Sequence, residues 1–489
     1  MKVELLTNLM RDITRDIMNI RINRLLDSYK AEMADSLSKL IQIKSVAAES
    51  RPGAPFGEGI RESLEFVMNL GKNKGFECIN FDNYACELNI ISSAETTDSV
   101  GVISHLDVVP EGSGWTHDPY GGEIEDGKIY GRGAVDDKGA LIAAFYACCA
   151  IKDSGLKLSK NIKHIIGTNE EGGEFPCIKY YKEHGKVPGC GIVPDSWFPV
   201  AFAEKGFYNY KFYRKFGNTD NNGKADIQIV NIKGGEALNI VASDASAELI
   251  VSDRGKETVV NALDSFLADD KILMEENDNK LIIKAAGKAA HASTPETGIN
   301  AISNLLLILE RFGFSPSDLC ETLHGLAAEV AKDTDGTGLG VNCKDDTGEL
   351  TNNIGMISYD GDLLTLKMNL RCPVSATREV LESKLKKAAK AVGTEYELIN
   401  YNPHYYMPVE DPLNQLLIGV YQEMTGDTKS KPKAHGGGSY ARALKNFVPF
   451  GPWIQGEEPC FHKPDEFITC DRLLLLSKIY AEALYRLAK

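Results

Sequence analysis

Five short segments of the sequence place histidine or acidic side chains at the ends of apolar runs or beside glycine-rich turns. The residues that could do chemistry are His105, Asp107, Asp136, Asp137, Glu170, Glu171, Asp195 and His462. Carboxylate oxygens and imidazole nitrogens together form a ligand set that suits zinc, manganese or cobalt. Each segment taken alone is more readily explained by a structural role, so the interpretation depends on how the segments combine.

The first segment closes an apolar run at residues 99–105 and contains His105 and Asp107. Alternate residues of a β-strand face the same side, so these two side chains are expected to point together. A carboxylate beside a histidine orients a metal-binding imidazole and makes it more basic. The alternative for this segment is a hydrogen-bonded His–Asp pair on the surface.

Two further segments contain adjacent acids. Asp136 and Asp137 follow a glycine-rich turn and precede an apolar helical run, where an acid either binds a metal or caps the helix. Glu170 and Glu171 follow the apolar run 162–166, and two neighbouring carboxylates repel each other unless a cation is present. One of these two could bind a metal while the other acts as a base.

Apolar runs and turn residues predict the elements that must position these side chains. The predicted strands lie at residues 88–91, 99–105, 161–168, 207–213, 281–284 and 364–370. The predicted helices lie at 1–46, 56–71, 139–151, 300–312, 378–392, 413–425 and 470–487, and a polar turn is predicted at 217–224. Strands and helices alternate up to about residue 204, which predicts an α/β layered fold. Four of the five segments lie at the carboxyl ends of predicted strands, the edge where α/β sheets place their active sites.

The composition limits the function. The 489-residue chain has 54 Lys and Arg against 69 Asp and Glu, a net charge of −15, which argues against a nucleic-acid partner. The longest apolar stretch, residues 140–151, is too short to span a bilayer, and charges interrupt the N-terminal segment. We therefore expect no membrane partner and a cytoplasmic location. The 11 cysteines include no CxxC pair, which argues against a disulfide framework or a cysteine zinc site.

The segments share their order and spacing with a known family. The motifs are His105-x-Asp-Val-Val-Pro, Gly131-Arg-Gly-x-x-Asp-Asp-Lys-Gly, Asn169-Glu-Glu-Gly-Gly, Pro194-Asp-Ser and the late His462. They resemble the motifs of the M20 metallopeptidases, and within that family the sequence resembles the PepV-type, Xaa-His dipeptidase-like enzymes from about Met33 onward. The resemblance implies a two-domain α/β fold, in which a mixed-sheet catalytic domain carries an inserted α+β lid domain made of two similar lobes. The implied boundaries are 1–206 and 404–489 for the catalytic domain, with 1–25 as an extra N-terminal helix, and 207–403 for the lid.

The resemblance also implies a site that holds two divalent ions. The implied ligands are Asp136 as a bridge, His105 and Asp195 for one ion, and Glu171 and His462 for the other. Zinc is the expected metal, with manganese or cobalt as alternatives. Glu170 matches the family's general base, which would take a proton from the metal-activated water and pass it to the leaving amine. Asp107 matches the carboxylate that orients His105.

The middle of the chain contains the implied substrate-binding residues. His291 resembles a lid histidine that stabilises an oxyanion, and a helix-capping loop is the alternative. Asn239 matches a lid asparagine near the substrate. Arg371 matches the arginine that binds the substrate's free carboxylate through its bidentate fork, and a surface salt bridge is the alternative. The remaining matches are Gly437, Gly438 and Ser439, in a turn that lines the carboxylate pocket with backbone N–H donors.

These matches predict a metal-dependent dipeptidase that acts on dipeptides with a free C-terminal carboxylate. The large lid predicts a monomer in which His291 acts in cis. An N-acyl amino acid deacylase of the same family is the alternative enzyme, and a non-catalytic binding protein is the alternative outside the enzyme class. Val135 and Cys372 depart from the family's pattern, but neither departure removes an expected ligand.

Overall fold

The computed structural model describes residues 2–217, 225–263, 272–277 and 280–489, and the predicted turn at 218–224 lies outside them. The chain forms two compact units. The first unit comprises residues 2–202, Tyr406–Lys433 and Gly438–Lys489, and the second comprises Ala203–Tyr405 and Ala434–Gly437. The second unit is therefore inserted into the chain of the first.

The secondary structure of the described residues alternates between helices and short strands. The helices are α1 (Lys2–Ile41), α2 (Glu58–Asn73), α3 (Lys138–Ser154), α4 (Pro176–His184), α5 (Asp253–Leu263), α6 (Ala301–Leu309), α7 (Ser317–Glu329), α8 (Arg378–Ala391), α9 (Pro412–Thr425) and α10 (Cys470–Ala488). The strands are β1 (Glu77–Phe81), β2 (Ala85–Ile90), β3 (Ser99–His105), β4 (Ile124–Glu125), β5 (Lys128–Tyr130), β6 (Asn161–Gly167), β7 (Cys190–Val193), β8 (Ser196–Trp197), β9 (Ala201–Glu204), β10 (Gly206–Lys215), β11 (Ile227–Gly234), β12 (Asp244–Val251), β13 (Ile272–Asn277), β14 (Lys280–Ala286), β15 (Lys344–Asp345), β16 (Gly348–Glu349), β17 (Thr351–Tyr359), β18 (Leu363–Cys372), β19 (Glu395–Asn402), β20 (Tyr405–Tyr406), β21 (Lys433–His435), β22 (Phe447–Pro449), β23 (Pro452–Trp453) and β24 (Phe467–Thr469).

The first unit is built on a mixed six-stranded sheet with the order β1-β2-β6-β3-β7-β22. β1, β2 and β6 pair antiparallel, whereas β6, β3, β7 and β22 pair parallel. The central strand β3 is buried along its whole length, which explains its continuous apolar sequence. α3 is almost entirely buried between the sheet, α1 and α10, so its apolar residues extend all round the helix.

The second unit is built on an eight-stranded sheet with the order β13-β14-β12-β11-β17-β18-β10-β19. Every neighbouring pair in this sheet is antiparallel. The sheet consists of two four-stranded halves, which meet where Ile232–Gly234 of β11 pairs with Ile357–Tyr359 of β17. The core contains apolar residues of this sheet and of helices α5 to α8, among them Leu249, Leu305 and Leu366.

The first helix ends earlier than the sequence pattern predicts. α1 stops at Ile41 rather than near Val46. The chain leaves the helix because Ser45 and Val46 pair with the segment that follows β3: Ser45 Oγ donates to the Leu106 carbonyl, and the Val108 N–H donates to the Ser45 carbonyl. Residues 2–25 are continuous with the rest of α1. None of the helices in the described residues is long and apolar enough to cross a membrane.

Candidate metal centre and active site

The parallel strands of the first unit bring three of the sequence segments to one edge. β3 ends at His105, β6 ends at Gly167 just before Glu170, and β7 ends at Val193 just before Asp195. Because β3 pairs parallel with both β6 and β7, their carboxyl ends lie side by side. Three of the four segments predicted for this edge are therefore there, and the side chains of His105, Glu170 and Asp195 are all buried. The segment of Asp136 instead follows β5, which belongs to a separate three-stranded sheet.

Asp136 lies at the centre of the cluster. Its Oδ1 is 3.2 Å from Nε2 of His105, and its Oδ2 is 3.3 Å from Nε2 of His462. Glu171 Oε1 lies 3.2 Å from the same nitrogen of His462, and Asp195 Oδ2 lies 4.0 Å from Nε2 of His105. The two oxygens of Asp136 thus face different imidazoles, and each imidazole has a further carboxylate beside it.

The residues present fit a metal ion. Two ligands of one tetrahedral ion with bonds of about 2.1 Å lie about 3.4 Å apart, which is close to the spacing of these atoms. Ligand atoms of His105, Asp136 and Glu171 lie within 4.8 Å of one another, as do those of His105, Glu170 and Asp195.

The electrostatics of the cluster also favour a cation. Burial and neighbouring carboxylates raise the pKa of Glu170 and of Asp195 well above their ordinary values. Burial lowers the pKa of His462, but Glu171 and Asp136 outweigh it and raise this pKa to about 11. The protein thus concentrates more carboxylates than its two imidazoles neutralise, and a divalent cation would relieve this excess of buried negative charge.

Asp107 connects the histidine to the pair of glutamates. Its two carboxylate oxygens both lie 2.9 Å from the Glu170 N–H, and Oδ2 also accepts from the Glu171 N–H at 3.0 Å. Nδ1 of His105 is 2.9 Å from the backbone carbonyl of Asp107 and 3.4 Å from its carboxylate. Asp107 therefore contacts His105 mainly through its carbonyl, while its carboxylate fixes the turn that carries Glu170 and Glu171.

Asp137 and Lys138 support the backbone around the site. In the sequence, Asp137 was a candidate metal ligand or helix cap, and Lys138 had no assigned role. Asp137 precedes α3 but makes no capping bond with its side chain, because its Oδ2 accepts from the His105 N–H at 2.9 Å. Lys138 is fully buried, and its Nζ donates to the carbonyls of Leu40 and Ile43. The clue in the sequence was the Asp-Asp-Lys triplet, since three charged residues at the start of a buried helix require partners.

In the second unit, the segments that carry Asn239 and His291 pair with each other. The Ala292 N–H donates to the Asn239 carbonyl, and the Val241 N–H donates to the Ala290 carbonyl, both at 2.9 Å. The side chain of Asn239 is exposed. Nδ1 of His291 accepts from the Ser293 N–H at 3.2 Å and lies 2.7 Å from the Ser293 hydroxyl. Because a backbone N–H can only donate, Nδ1 is an acceptor, and the proton of neutral His291 lies on Nε2.

Arg371 is buried on β18, which disfavours the surface salt bridge considered as its alternative. Its Nε donates to Oδ1 of Asn369, and its Nη1 donates to the carbonyl of Gly436, both at 2.9 Å. Its guanidinium carbon lies 3.8 Å from the centre of the Phe207 ring. Three neighbours therefore hold a planar cation in one orientation, as recognition of a carboxylate requires.

The glycine-rich turn has local roles in the structure. The Gly437 N–H donates to Nδ1 of His435 at 3.1 Å. A Cβ on Gly438 would lie 2.4 Å from the guanidinium carbon of Arg442, so a larger residue would not fit without movement. Ser439 is buried, and its hydroxyl caps the short 3₁₀ helix Tyr440–Arg442 by accepting from the Ala441 N–H.

Comparisons with known proteins agree with this fold. Residues 101–486 match the sequence model of peptidase family M20/M25/M40. The chain is 35% identical over 466 residues to "Putative dipeptidase YtjP" of Bacillus subtilis (strain 168), which covers 94% of this chain and 98% of that protein. It is 33% identical over 482 residues to the beta-Ala-Xaa dipeptidase of Lactobacillus delbrueckii subsp. lactis, which covers 96% of this chain and 99% of that protein.

Among solved structures, human carnosine dipeptidase 1 matches with a TM-score of 0.57 at 13% identity, covering 96% of this chain and 98% of that one. This match shows a shared fold. Together with the two units and their sheets, it confirms the predicted two-domain α/β fold class.

Proposed function

Because the chain belongs to peptidase family M20/M25/M40, we propose that it is a metal-dependent dipeptidase acting on dipeptides with a free C-terminal carboxylate. The observation that carries the proposal is the position of Asp136, whose two oxygens face His105 and His462 separately. The two similar proteins are named as a putative dipeptidase and as a beta-Ala-Xaa dipeptidase, and these names support the same substrate class.

The proposed centre takes two divalent ions, with zinc first and manganese or cobalt as alternatives. His105 and Asp195 would hold one ion, Glu171 and His462 would hold the other, and Asp136 would bridge them. When bound, such ions supply a Lewis acid for the peptide carbonyl and lower the pKa of a water molecule. The second carboxylate beside each imidazole supports this division of the ligands.

Glu170 is the proposed general base. Its side chain is buried beside the ligands, and the two bonds from its backbone N–H to Asp107 fix its position. Its carboxylate would accept a proton from the attacking water at one oxygen and deliver it to the leaving amine. Asp107 would act indirectly, by holding the Glu170–Glu171 turn and the ring of His105 in place.

The second unit is the proposed lid, and we assign it the recognition of the substrate. Arg371 would bind the C-terminal carboxylate, since its guanidinium is buried and oriented. His291 would donate from Nε2 to the developing oxyanion, which agrees with the tautomer that Ser293 imposes. Asn239 would contact the substrate through its exposed side chain. We propose that the protein works as a monomer with these residues acting in cis.

The test is hydrolysis of a dipeptide panel by metal-stripped protein to which Zn²⁺, Mn²⁺ or Co²⁺ is returned separately. N-acetyl amino acids belong in the same panel, because a deacylase would prefer them. We expect metal-dependent dipeptide cleavage that falls by about 10²–10⁴-fold in kcat for Glu170→Gln, with unchanged metal content. Glu174→Gln, an exposed acid three residues beyond the ligand Glu171, is the matched control and should retain activity. Protein that binds two ions but cleaves only N-acyl amino acids would refute the dipeptidase assignment.

A further inference from the structure

A buried carboxylate outside the ligand set joins two loops that carry ligands. Glu466 is fully buried, and its Oε1 accepts from the backbone N–H groups of Val135 at 2.9 Å and Asp136 at 3.2 Å. Its Oε2 accepts from the Gly133 N–H at 3.2 Å and from Nη1 of Arg132 at 2.7 Å. Its backbone carbonyl accepts from the Gly131 N–H at 2.9 Å. One residue thus receives five hydrogen bonds from the 131–136 loop, which ends at Asp136.

The same residue ends the 460–466 loop, which carries His462. This loop contains two non-glycine residues with left-handed backbone, His462 at φ 58° and Asp465 at φ 54°. Such a conformation persists only where the surroundings enforce it. The carboxylate of Asp465 accepts from the N–H and hydroxyl of Thr116 and from the His117 N–H. Asp465 and Glu466 therefore both bind groups outside their own loop.

Arg132 completes the connection between the loops. It is 2% exposed, and besides its ion pair with Glu466 its Nη1 lies 3.3 Å from the Lys463 carbonyl. A buried carboxylate without a partner would be costly, but here a guanidinium and three backbone donors satisfy both of its oxygens. The pair therefore fixes the distance between the loop of Asp136 and the loop of His462, whose side chains lie 3.3 Å apart.

We propose that Glu466, together with Arg132, is a positioning residue that sets the geometry of the ion held by Asp136, Glu171 and His462. This inference rests on the proposed two-ion centre. His105 is the last residue of β3 and Asp195 follows β7, so the paired sheet holds them without Glu466. Because both ions would share Asp136, loosening Glu466 should weaken both, but it should weaken the ion of Glu171 and His462 more, since His462 lies on the loop that Glu466 ends. A general loss of stability would not produce this difference.

The experiment is a calorimetric titration of metal-stripped protein with Zn²⁺, with the bound metal counted by mass spectrometry. In Glu466→Gln an amide NH₂ replaces one acceptor oxygen, so it faces backbone N–H groups. We expect the Kd of the ion held by Glu171 and His462 to rise about 10–100-fold, and the Kd of the other ion to rise at least about threefold less, because it loses only the position of the shared Asp136. Glu466→Asp, which keeps the charge but shortens the side chain, should change the same Kd in the same direction.

Glu87→Gln is the matched control, because Glu87 is equally buried on β2 of the first unit and pairs with Lys163 and Tyr181 instead. It should leave both Kd values unchanged. If Glu466→Gln and Glu466→Asp both fold and bind two ions with wild-type affinities, this inference is overturned, but the proposed function is not. Wild-type protein that binds no ion would overturn the proposed function, and the inference with it.

Discussion

The stability of the first unit should depend on pH through one buried histidine outside the ligand set. His164 lies on β6 with no exposed surface. Its Nε2 is 3.2 Å from the Ser104 hydroxyl, and its Nδ1 is buried without a hydrogen-bond partner among the described atoms. Burial lowers the pKa of His164 to about 3, because no nearby acid compensates the cost of a buried imidazolium.

The sign of the effect follows from the two pKa values. An unfolded histidine has a pKa of about 6.5, so between pH 3 and 6.5 the unfolded state binds a proton that the folded state does not. The free energy of unfolding is therefore highest above about pH 6.5 and falls by about 1.4 kcal/mol per pH unit below it. Between about pH 7.5 and pH 5 the expected loss from His164 is about 2 kcal/mol.

The assay is guanidinium unfolding of wild type and His164→Leu over this pH range, followed by tryptophan fluorescence. All three tryptophans, Trp115, Trp197 and Trp453, lie in the first unit with His164, so the signal reports the relevant unit. A chelator in every sample removes the pH dependence of metal binding. Wild type should lose about 2 kcal/mol more than the variant on going from about pH 7.5 to pH 5.

The control is His184→Leu, which removes an exposed imidazole of the same unit and should follow the wild-type pH dependence. Parallel curves for wild type and His164→Leu would refute the reasoning, because they would mean that the folded protein accommodates the imidazolium.

Three further predictions concern the site. Arg371→Met should raise KM for a dipeptide about 10–150-fold, which corresponds to the loss of one or two charged hydrogen bonds to the substrate's carboxylate. The variant should also lose the preference for the dipeptide over its C-terminal amide. An unchanged preference would contradict the assignment. Ser293→Ala should lower kcat about 3–10-fold at constant KM, because His291 loses the hydroxyl that stabilises its Nε2–H tautomer. A ¹⁵N spectrum of the histidine rings should show the other tautomer of His291 increase, and no change there would argue against this role. Asp107→Asn should lower kcat/KM about 10–100-fold at saturating metal, since its amide NH₂ faces the Glu170 and Glu171 N–H groups; activity within about twofold of wild type would show that the turn needs no carboxylate.

Elements with strong local patterns could be predicted from the sequence. β3 has the predicted limits, 99–105, because a buried parallel strand is a continuous apolar run that ends at the first polar residues. The helix predicted at 139–151 extends only slightly further, to Lys138–Ser154. The proposed ligands at strand ends could be predicted for the same reason, since His105 and Asp195 lie where apolar runs end.

Three helices, α4, α5 and α7, were not predicted. α4 is short and begins at Pro176, and only three of its residues are buried, so its pattern is weak. α7 had a usable signal, because its buried residues Leu319, Leu323 and Leu326 recur at helical spacing. The early end of α1 had no usable signal in the sequence, because it depends on contacts of Ser45 with Leu106 and Val108, about 60 residues away along the chain.

The residues that hold the proposed ligands in place, Glu466 and Asp137, could not be predicted from the sequence, and the reason is physical. A ligand can be recognised from its type and its place after an apolar run, both of which are local. Glu466 is recognisable only from its partners at 131–136, more than 300 residues away, and Asp137 only from its bond to the His105 backbone. Without these distant bonds, Asp136 and His462 would be an acid and a histidine on two irregular loops. The chemistry therefore depends on the ligand types, while the geometry that makes them one centre depends on long-range contacts that only the folded chain creates.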